Sequence, residues 1–430
     1  MLSRIGVDRF DDLLRPIPET ARFSGLLDLP PSLAEGALAR HVKELSERNV
    51  PVLSFMGAGS YEHFRPAVVD YVCGRPEFRT AYTPYQAEVS QGTLQTIYEF
   101  QTAIVELTGM EVANASMYEG GSAVAEAMLM AVSATGRSSI LISEGVHPLV
   151  RRVVHTYARP NGIAVIPVPL HQGTTPDTAV RERAEGAAGL IYQEPNFFGC
   201  IENQQRLIEA SHAAGGLAIA SVDPLSLSVL EPPGALGADI AAGEGQALAA
   251  PVSFGGPGVG FLACTQRLIR KLPGRLVGAT VDGQGRRGFV LTLQAREQHI
   301  RRQKATSNIC TNQALVALGF LVTVSALGPH GLANMASQAT QKAHYYQHAL
   351  QKRGFPLAFD APFLWEFTVR TGIPAATYVE GLLSRGVLPG LDLGTVSPDL
   401  AERLLVYVSE MRTREELDRT AELMGEVSHG

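Results

Sequence analysis

The sequence predicts an α/β protein: a large domain with a mostly parallel sheet, followed by a small C-terminal α+β domain. Short apolar segments at 139–142, 163–168, 189–192 and 217–222 alternate with stretches of helical spacing, HPLVRRVVHTYAR and ENQQRLIEASHAAG among them. Strands regularly separated by helices form parallel βαβ units, whose sheet is covered on both faces. A glycine-rich SFGGPGVG then leads into a further strand-like segment at 259–264. The third observation is a long apolar helix at about Cys310–Leu327, after which the pattern changes to a smaller group of strands and helices. A chain of 430 residues is ample for a large core, so neither metals nor disulfides are needed to hold it.

The elements follow in chain order. Residues 1–55 read as a helical arm: Phe10, Leu13 and Leu14 lie at helical spacing, Pro30-Pro31 interrupts, and Leu33, Leu38, Val42 and Leu45 resume a stripe. Such an arm packs either on a neighbouring subunit or on its own domain. Residues 56–325 form the large domain. Its first long helix starts near Ser90, carries Leu94, Ile97, Ile104 and Val105 on one side, and stops at Gly109. A second helix spans 123–133. Residues 326–430 form the small domain, with a helix at 330–352, strands near 363–369 and 404–408, and helices near 375–385 and 413–424.

Composition narrows the function. The formal net charge is −6 and no basic block occurs, which argues against nucleic acid or an anionic membrane as the main partner. Cys73, Cys200, Cys264 and Cys310 lie far apart without a CxxC pair, as in a reduced cytosolic protein. The N-terminal stretch MLSRIGVDRFDDLL lacks the apolar core of a signal peptide. The longest apolar run, 314–328, is shorter than the ~20 residues that span a bilayer. A soluble, cytoplasmic protein is expected. One further count matters: only five of the 36 basic residues are lysine, namely Lys43, Lys271, Lys304, Lys342 and Lys352.

Several motifs dissolve on inspection. Gly283-Gln284-Gly285-Arg286-Arg287-Gly288 matches GxGxxG, but a strand-like FVLTLQ follows where a dinucleotide site needs a helix, so it reads as a mobile turn. No GxxxxGK[ST] occurs, which excludes a P-loop. His344 and His348 are one helical turn apart but lack a third ligand and a glutamate base, so no metal site is expected. Other pieces point elsewhere. Tyr118-Glu119-Gly120-Gly121-Ser122 opens a helix whose N-terminus suits an anion, or is a glycine turn capped by serine. Asp223 ends an apolar strand, where open α/β sheets gather ligands and an acid can pair with a pyridinium nitrogen.

This order suggests a pyridoxal-phosphate enzyme, which needs a lysine for the Schiff base that holds the aldehyde. That lysine should follow the strand at 238–242, yet Gly245-Gln246-Ala247-Leu248 stand there. Lys43, Lys342 and Lys352 read as exposed helix residues, Lys271 lies near a helix end, and Lys304 is surrounded by charge. The chain reads as a cofactor fold unable to hold the cofactor by itself.

Four segments carry a family resemblance: AYTPYQAEVSQGTLQTIYEFQT (81–102), NASMYEGGSAVAEAMLMA (114–131), GEGQALAAPVSFGGPGVGFLA (243–263) and REQHIRRQKATSNICTNQAL (296–315). They closely resemble the P-protein (glycine decarboxylase) family of the glycine cleavage system, matching its N-terminal half, a separate subunit in some bacteria. The resemblance runs nearly end to end. It implies the fold of the pyridoxal-phosphate-dependent transferases, aspartate aminotransferase-like (fold type I). It also implies that pyridoxal phosphate is held covalently by a lysine of a second P-protein subunit, in an α2β2 assembly. The implied reaction decarboxylates glycine, with the pyridinium ring as electron sink, and passes the aminomethyl group to the lipoyl sulfur of H-protein.

Active sites of this fold lie at a dimer interface, so this chain is expected to complete its partner's site. Tyr82, Tyr85, Gln86 and Glu88 are the candidate catalytic residues: two phenols, an amide and a carboxylate able to orient glycine's carboxylate or the lipoyl group and to relay a proton. Thr83, Thr306, Ser307 and Asn308 are the candidate donors to the cofactor phosphate. The plainer alternatives are a loop that only builds the interface and simple helix capping. Gly120–Ser122 and Asp223 read as remnants of an ancestral cofactor site. Two rival functions stand beside this one: an interaction-only subunit, and a stand-alone enzyme using Lys304.

Overall fold

The computed structural model describes residues 1–23 and 25–429. The chain divides into two units, Met1–Pro51 and the remainder from Val52. The first holds a short helix, Leu2–Ile5, and α1 (Glu35–Ser46), neither of which carries a buried residue. The apolar stripe of the arm, Leu33, Leu38, Val42 and Leu45, is exposed.

The second unit is built on a seven-stranded sheet. In chain order its strands follow β1 (Leu53–Ser54): β2 (Val112–Ala113), β3 (Ser139–Ser143), β4 (Ala164–Val168), β5 (Gly189–Glu194), β6 (Leu217–Val222), β7 (Ile240–Glu244) and β8 (Gly260–Cys264). Their spatial order is β2-β8-β7-β6-β5-β3-β4. β4, β3, β5, β6 and β7 are mutually parallel, and β8 runs antiparallel to both β7 and β2. All six residues of β6 are buried, as expected for a strand covered on both faces.

Helices supply those covers. α2 (Gln91–Thr108) buries Leu94, Ile97, Phe100 and Ile104, and ends at Gly109 with φ 66°. That left-handed terminus costs an L-residue strain that glycine avoids. α3 (Gly120–Thr135) is buried almost all round. α4 (Pro148–Ala158), α5 (Asp177–Arg183) and α6 (Gln204–Ala213) complete the βαβ units.

A hairpin follows, β9 (Leu276–Val281) and β10 (Arg287–Thr292), with its base buried and its tip exposed. The GxGxxG segment is its turn, fastened by Asp282, which accepts from the Gln284 and Arg286 N–H groups at 2.9 Å each. Helix α2 grips the hairpin through two glutamines. Gln101 exchanges paired bonds of 3.0 Å with the Val277 backbone, and Gln91 does the same with Phe289 at 2.9 Å.

α7 (Ala314–Gln351) corresponds to the two expected helices, joined across Gly328, whose φ 61° and ψ −178° break the helical path before Pro329. It starts at Ala314 rather than Cys310 because the preceding residues are tied elsewhere: Asn312 donates to the Ala115 carbonyl at 3.1 Å, and the Gln313 N–H to Ser116 Oγ at 3.1 Å. By length and composition α7 alone would pass as a membrane span. Here Ala317, Phe320, Leu332, Met335 and Tyr346 are buried in the main core of the protein. Lys342 corrects its expected exposure: it is half-buried and donates to the Glu410 carbonyl.

The C-terminal part carries β11 (Glu366–Arg370), β12 (Val387–Leu388), β13 (Leu391–Asp392) and β14 (Arg403–Tyr407), with α8 (Ala375–Leu383) and α9 (Arg414–His429). β11, β14 and β13 form one antiparallel sheet, and β12 pairs in parallel with β1.

A carboxylate-lined cavity and an exposed tyrosine loop

A cavity of about 390 Å³ opens at the C-terminal ends of the parallel strands, where α/β sheets place their ligands. β6 contributes Ser221 and, just beyond its end, Asp223; β7 contributes Gly243 and Glu244; α3 contributes Gly120 and Gly121. Tyr61, His147, Trp365 and Glu366 close the remaining sides. Four carboxylates line this space, from Glu119, Asp223, Glu244 and Glu366, while no lysine or arginine lines it among the described residues.

The electrostatics follow from that imbalance. Burial pushes the Glu366 carboxyl up to about 7, against hydrogen bonds from the Ala58 N–H and the Tyr61 hydroxyl that favour its charged form. The two bonds are 2.7 and 2.8 Å long. Burial likewise raises Asp223, partly offset by the His63 ring, and raises Glu244. His147 is shifted down by burial, so its ring stays neutral. Its Nδ1 accepts from the Leu149 N–H and its Nε2 donates to the Ala58 carbonyl, which fixes the tautomer.

The first N–H groups of α3 are already taken. Glu119, not a serine, is the N-cap: its carboxylate accepts from the Gly121 and Ser122 N–H groups at 2.6 and 2.8 Å. Glu244 accepts from the Gly120 N–H at 2.9 Å. Ser122 lies three residues inside the cap, so the helix opens at Gly120 rather than Ala123. The cavity therefore does not fit pyridoxal phosphate: its anion-binding turn is filled by the chain's own carboxylates, and no lysine able to form a Schiff base lines it among the described residues.

The predicted site residues lie elsewhere, and none of the eight lines this cavity. Tyr82 and Tyr85 are 86% and 63% exposed, Gln86 and Glu88 are exposed, and Thr83 is half-buried. Thr306 and Asn308 are exposed and Ser307 is half-buried. Ser307 hydrogen-bonds the buried Glu126 of α3, whose carboxyl burial raises to about 7. Buried Arg275 links the two segments. Its guanidinium lies 5.8 Å from the Tyr85 ring centroid and donates to Thr311 Oγ1 and Asn312 Oδ1 at 3.4 and 3.3 Å. Lys304 is exposed and does not line the cavity, which removes the support for a stand-alone enzyme built on it. His344 stacks on Phe363 with centroids 4.1 Å apart, and no cluster of three metal-ligating side chains occurs among the described residues.

A family model described as glycine cleavage system P-protein matches residues 1–424. The chain belongs to that family. Among its P-protein relatives, the probable glycine dehydrogenase (decarboxylating) subunit 1 of Geobacillus kaustophilus is 50% identical over 430 residues, covering 99% of this chain and 96% of that one. The subunit 1 of Moorella thermoacetica is 49% identical over 420 residues, covering 97% and 95%. A crystal structure of glycine decarboxylase (P-protein) of the glycine cleavage system, in inhibitor-bound form, superposes with a TM-score of 0.91 at 42% identity, covering 99% of this chain and 97% of the other. Aspartate aminotransferase of Thermus thermophilus shares the fold at a TM-score of 0.56 and 17% identity, over 88% and 99% of the two chains. The P-protein chain thus has the aspartate aminotransferase-like fold that its sequence implied.

Sequence reading missed Glu119, Glu244, His147 and Glu366 as cavity residues. Glu119 and Glu244 are 125 positions apart, and only the fold brings both to one helix end. Glu119 directly before Gly-Gly was the one available signal.

Proposed function

We propose that this chain is the non-lysine subunit of a two-subunit glycine dehydrogenase. Together the subunits decarboxylate glycine and transfer the aminomethyl group to the lipoyl group of H-protein. Pyridoxal phosphate belongs to the lysine-bearing partner subunit, in an α2β2 assembly in the cytoplasm. The observation that carries this reading is a cavity with no lysine among its described lining residues, beside a helix end already capped by carboxylates, in a chain whose relatives are named subunit 1.

In this reading the 81–90 loop faces the partner. Tyr82, Tyr85 and Val89 are large side chains left exposed on one short segment, as expected where a subunit interface covers them. Tyr82, Tyr85, Gln86 and Glu88 orient glycine's carboxylate or the lipoyl arm and relay a proton, while Thr83, Thr306, Ser307 and Asn308 donate hydrogen bonds to the partner's cofactor phosphate. Arg275, packed against Tyr85 and tied to Thr311 and Asn312, holds the two segments in register.

Replacing Tyr85 by Phe and Glu88 by Gln tests the contact. In an intact complex each change should lower kcat by about a hundredfold or more, the lower end of what a lost acid–base group costs. Unchanged turnover would make the loop an interface element only.

A further inference from the structure

We propose that Glu119 and Glu244 act as an internal substitute for a bound phosphate, closing this chain's own cavity to phosphate-bearing ligands. Three consecutive N–H groups, from Gly120, Gly121 and Ser122, point at the helix end, and each donates to a carboxylate oxygen. Those are the donors that a helix N-terminus offers a phosphate, together with the favourable end of the helix dipole. A phosphate can use them only by displacing both side chains.

Simple capping does not account for the pair. Helix caps favour Ser, Thr, Asp and Asn, whose short side chains reach the second or third N–H directly. Here a longer glutamate takes two donors and a second glutamate arrives from a different strand for the third. Glu244 is also anchored through its other oxygen, which accepts from the Gln246 and Val259 N–H groups at 2.9 and 2.8 Å. The packing leaves no slack: a Cβ added at Gly258 would stand 3.1 Å from both Glu119 Cβ and Glu244 Oε2, and one at Gly120 would stand 3.0 Å from Glu244 Cβ. Placing two carboxylates together in a buried site without a lysine or arginine has a cost, visible in the raised Glu244 carboxyl, for which burial is the main cause and the Glu119 charge a further one. The helix end offsets it. The result is a specificity device: in the two-subunit assembly proposed above, a phosphate-bearing cofactor is refused by this chain and left to the other.

The chain carries its own reporter, because its single tryptophan, Trp365, lines the cavity. The full chain and its Glu119→Ala/Glu244→Ala variant are titrated with inorganic phosphate and with pyridoxine 5′-phosphate, which lacks the aldehyde that would react with surface lysines. Thermal midpoint and Trp365 emission are read, with far-ultraviolet circular dichroism as the check on folding. The wild type should show no saturable response, and the variant should bind both probes at least tenfold more tightly. Phosphate-free pyridoxine should not gain. A Glu119→Gln/Glu244→Gln pair, which keeps the shape and removes the charge, should gain in the same direction and carries the test if the alanine pair does not fold. Wild-type binding as tight as the variant's would overturn the proposal. So would a folded variant that gains no phosphate response. The experiment needs neither partner nor turnover, so it succeeds or fails separately from the assignment of the reaction.

Discussion

Glu366 shows how a single residue in the cavity sets a measurable property. Its carboxyl is raised to about 7 from an ordinary 4.5, mainly by burial. The folded chain therefore keeps a proton that the unfolded chain has released between those values. Stability contributed by this proton is fully present below about pH 4.5, falls as pH rises toward 7, and is flat above. A tenfold difference in proton affinity between the folded and unfolded chain is worth about 1.4 kcal/mol, so the loss reaches at most about 3 kcal/mol. Urea unfolding at pH 5 and pH 7.5 should show the decline in the wild type and a shallower one in Glu366→Gln. Glu126, raised to about 7 as well, contributes over the same window, so adding Glu126→Gln should flatten the profile further. An unchanged slope in the double variant would mean that other groups carry it. At this scale the missing lysine was legible, because Gln246 follows an obvious strand. Glu366 was not, since its partners Ala58 and Tyr61 lie about 305 positions away in sequence.

The helices and strands were more readily legible than the contacts between them. β6 and the stop of α2 at Gly109 agree with expectation because one is a fully buried run, apolar but for Ser221, and the other ends on a glycine with φ 66°. Both signals are local. The start of α7 was misplaced by four residues, because Asn312 and Gln313 spend their polar groups on Ala115 and Ser116, which no periodicity reveals. The cap of α3 was misassigned for a related reason: serine is the common cap, and here a glutamate outcompetes it. The break in α7 makes its own prediction. Gly328 occupies a backbone region that is essentially glycine-only, and a Cβ there would meet nothing within 4 Å. Gly328→Ala should therefore cost about 1–3 kcal/mol through backbone strain alone, measured by chemical denaturation. Wild-type stability would show that the helix can run straight through.

For the whole molecule, the alternation of strands and helices foretold the parallel sheet, and the strand order placed a cavity at its C-terminal edge. What the sequence pattern did not foretell is the division of labour within that architecture. The helix end in the cavity is occupied by carboxylates, while the residues with the richest chemistry lie on the 81–90 loop and in 306–308, most of them exposed. On the function proposed above, a chain so arranged supplies one half of an active site. The most direct measurement is glycine-dependent carbon dioxide release, with pyridoxal phosphate and lipoylated H-protein supplied, from this chain alone, from a copurifying lysine-bearing partner alone, and from the two mixed. Release from the mixture only, with neither chain active by itself, is the predicted result. Release from this chain alone would contradict it.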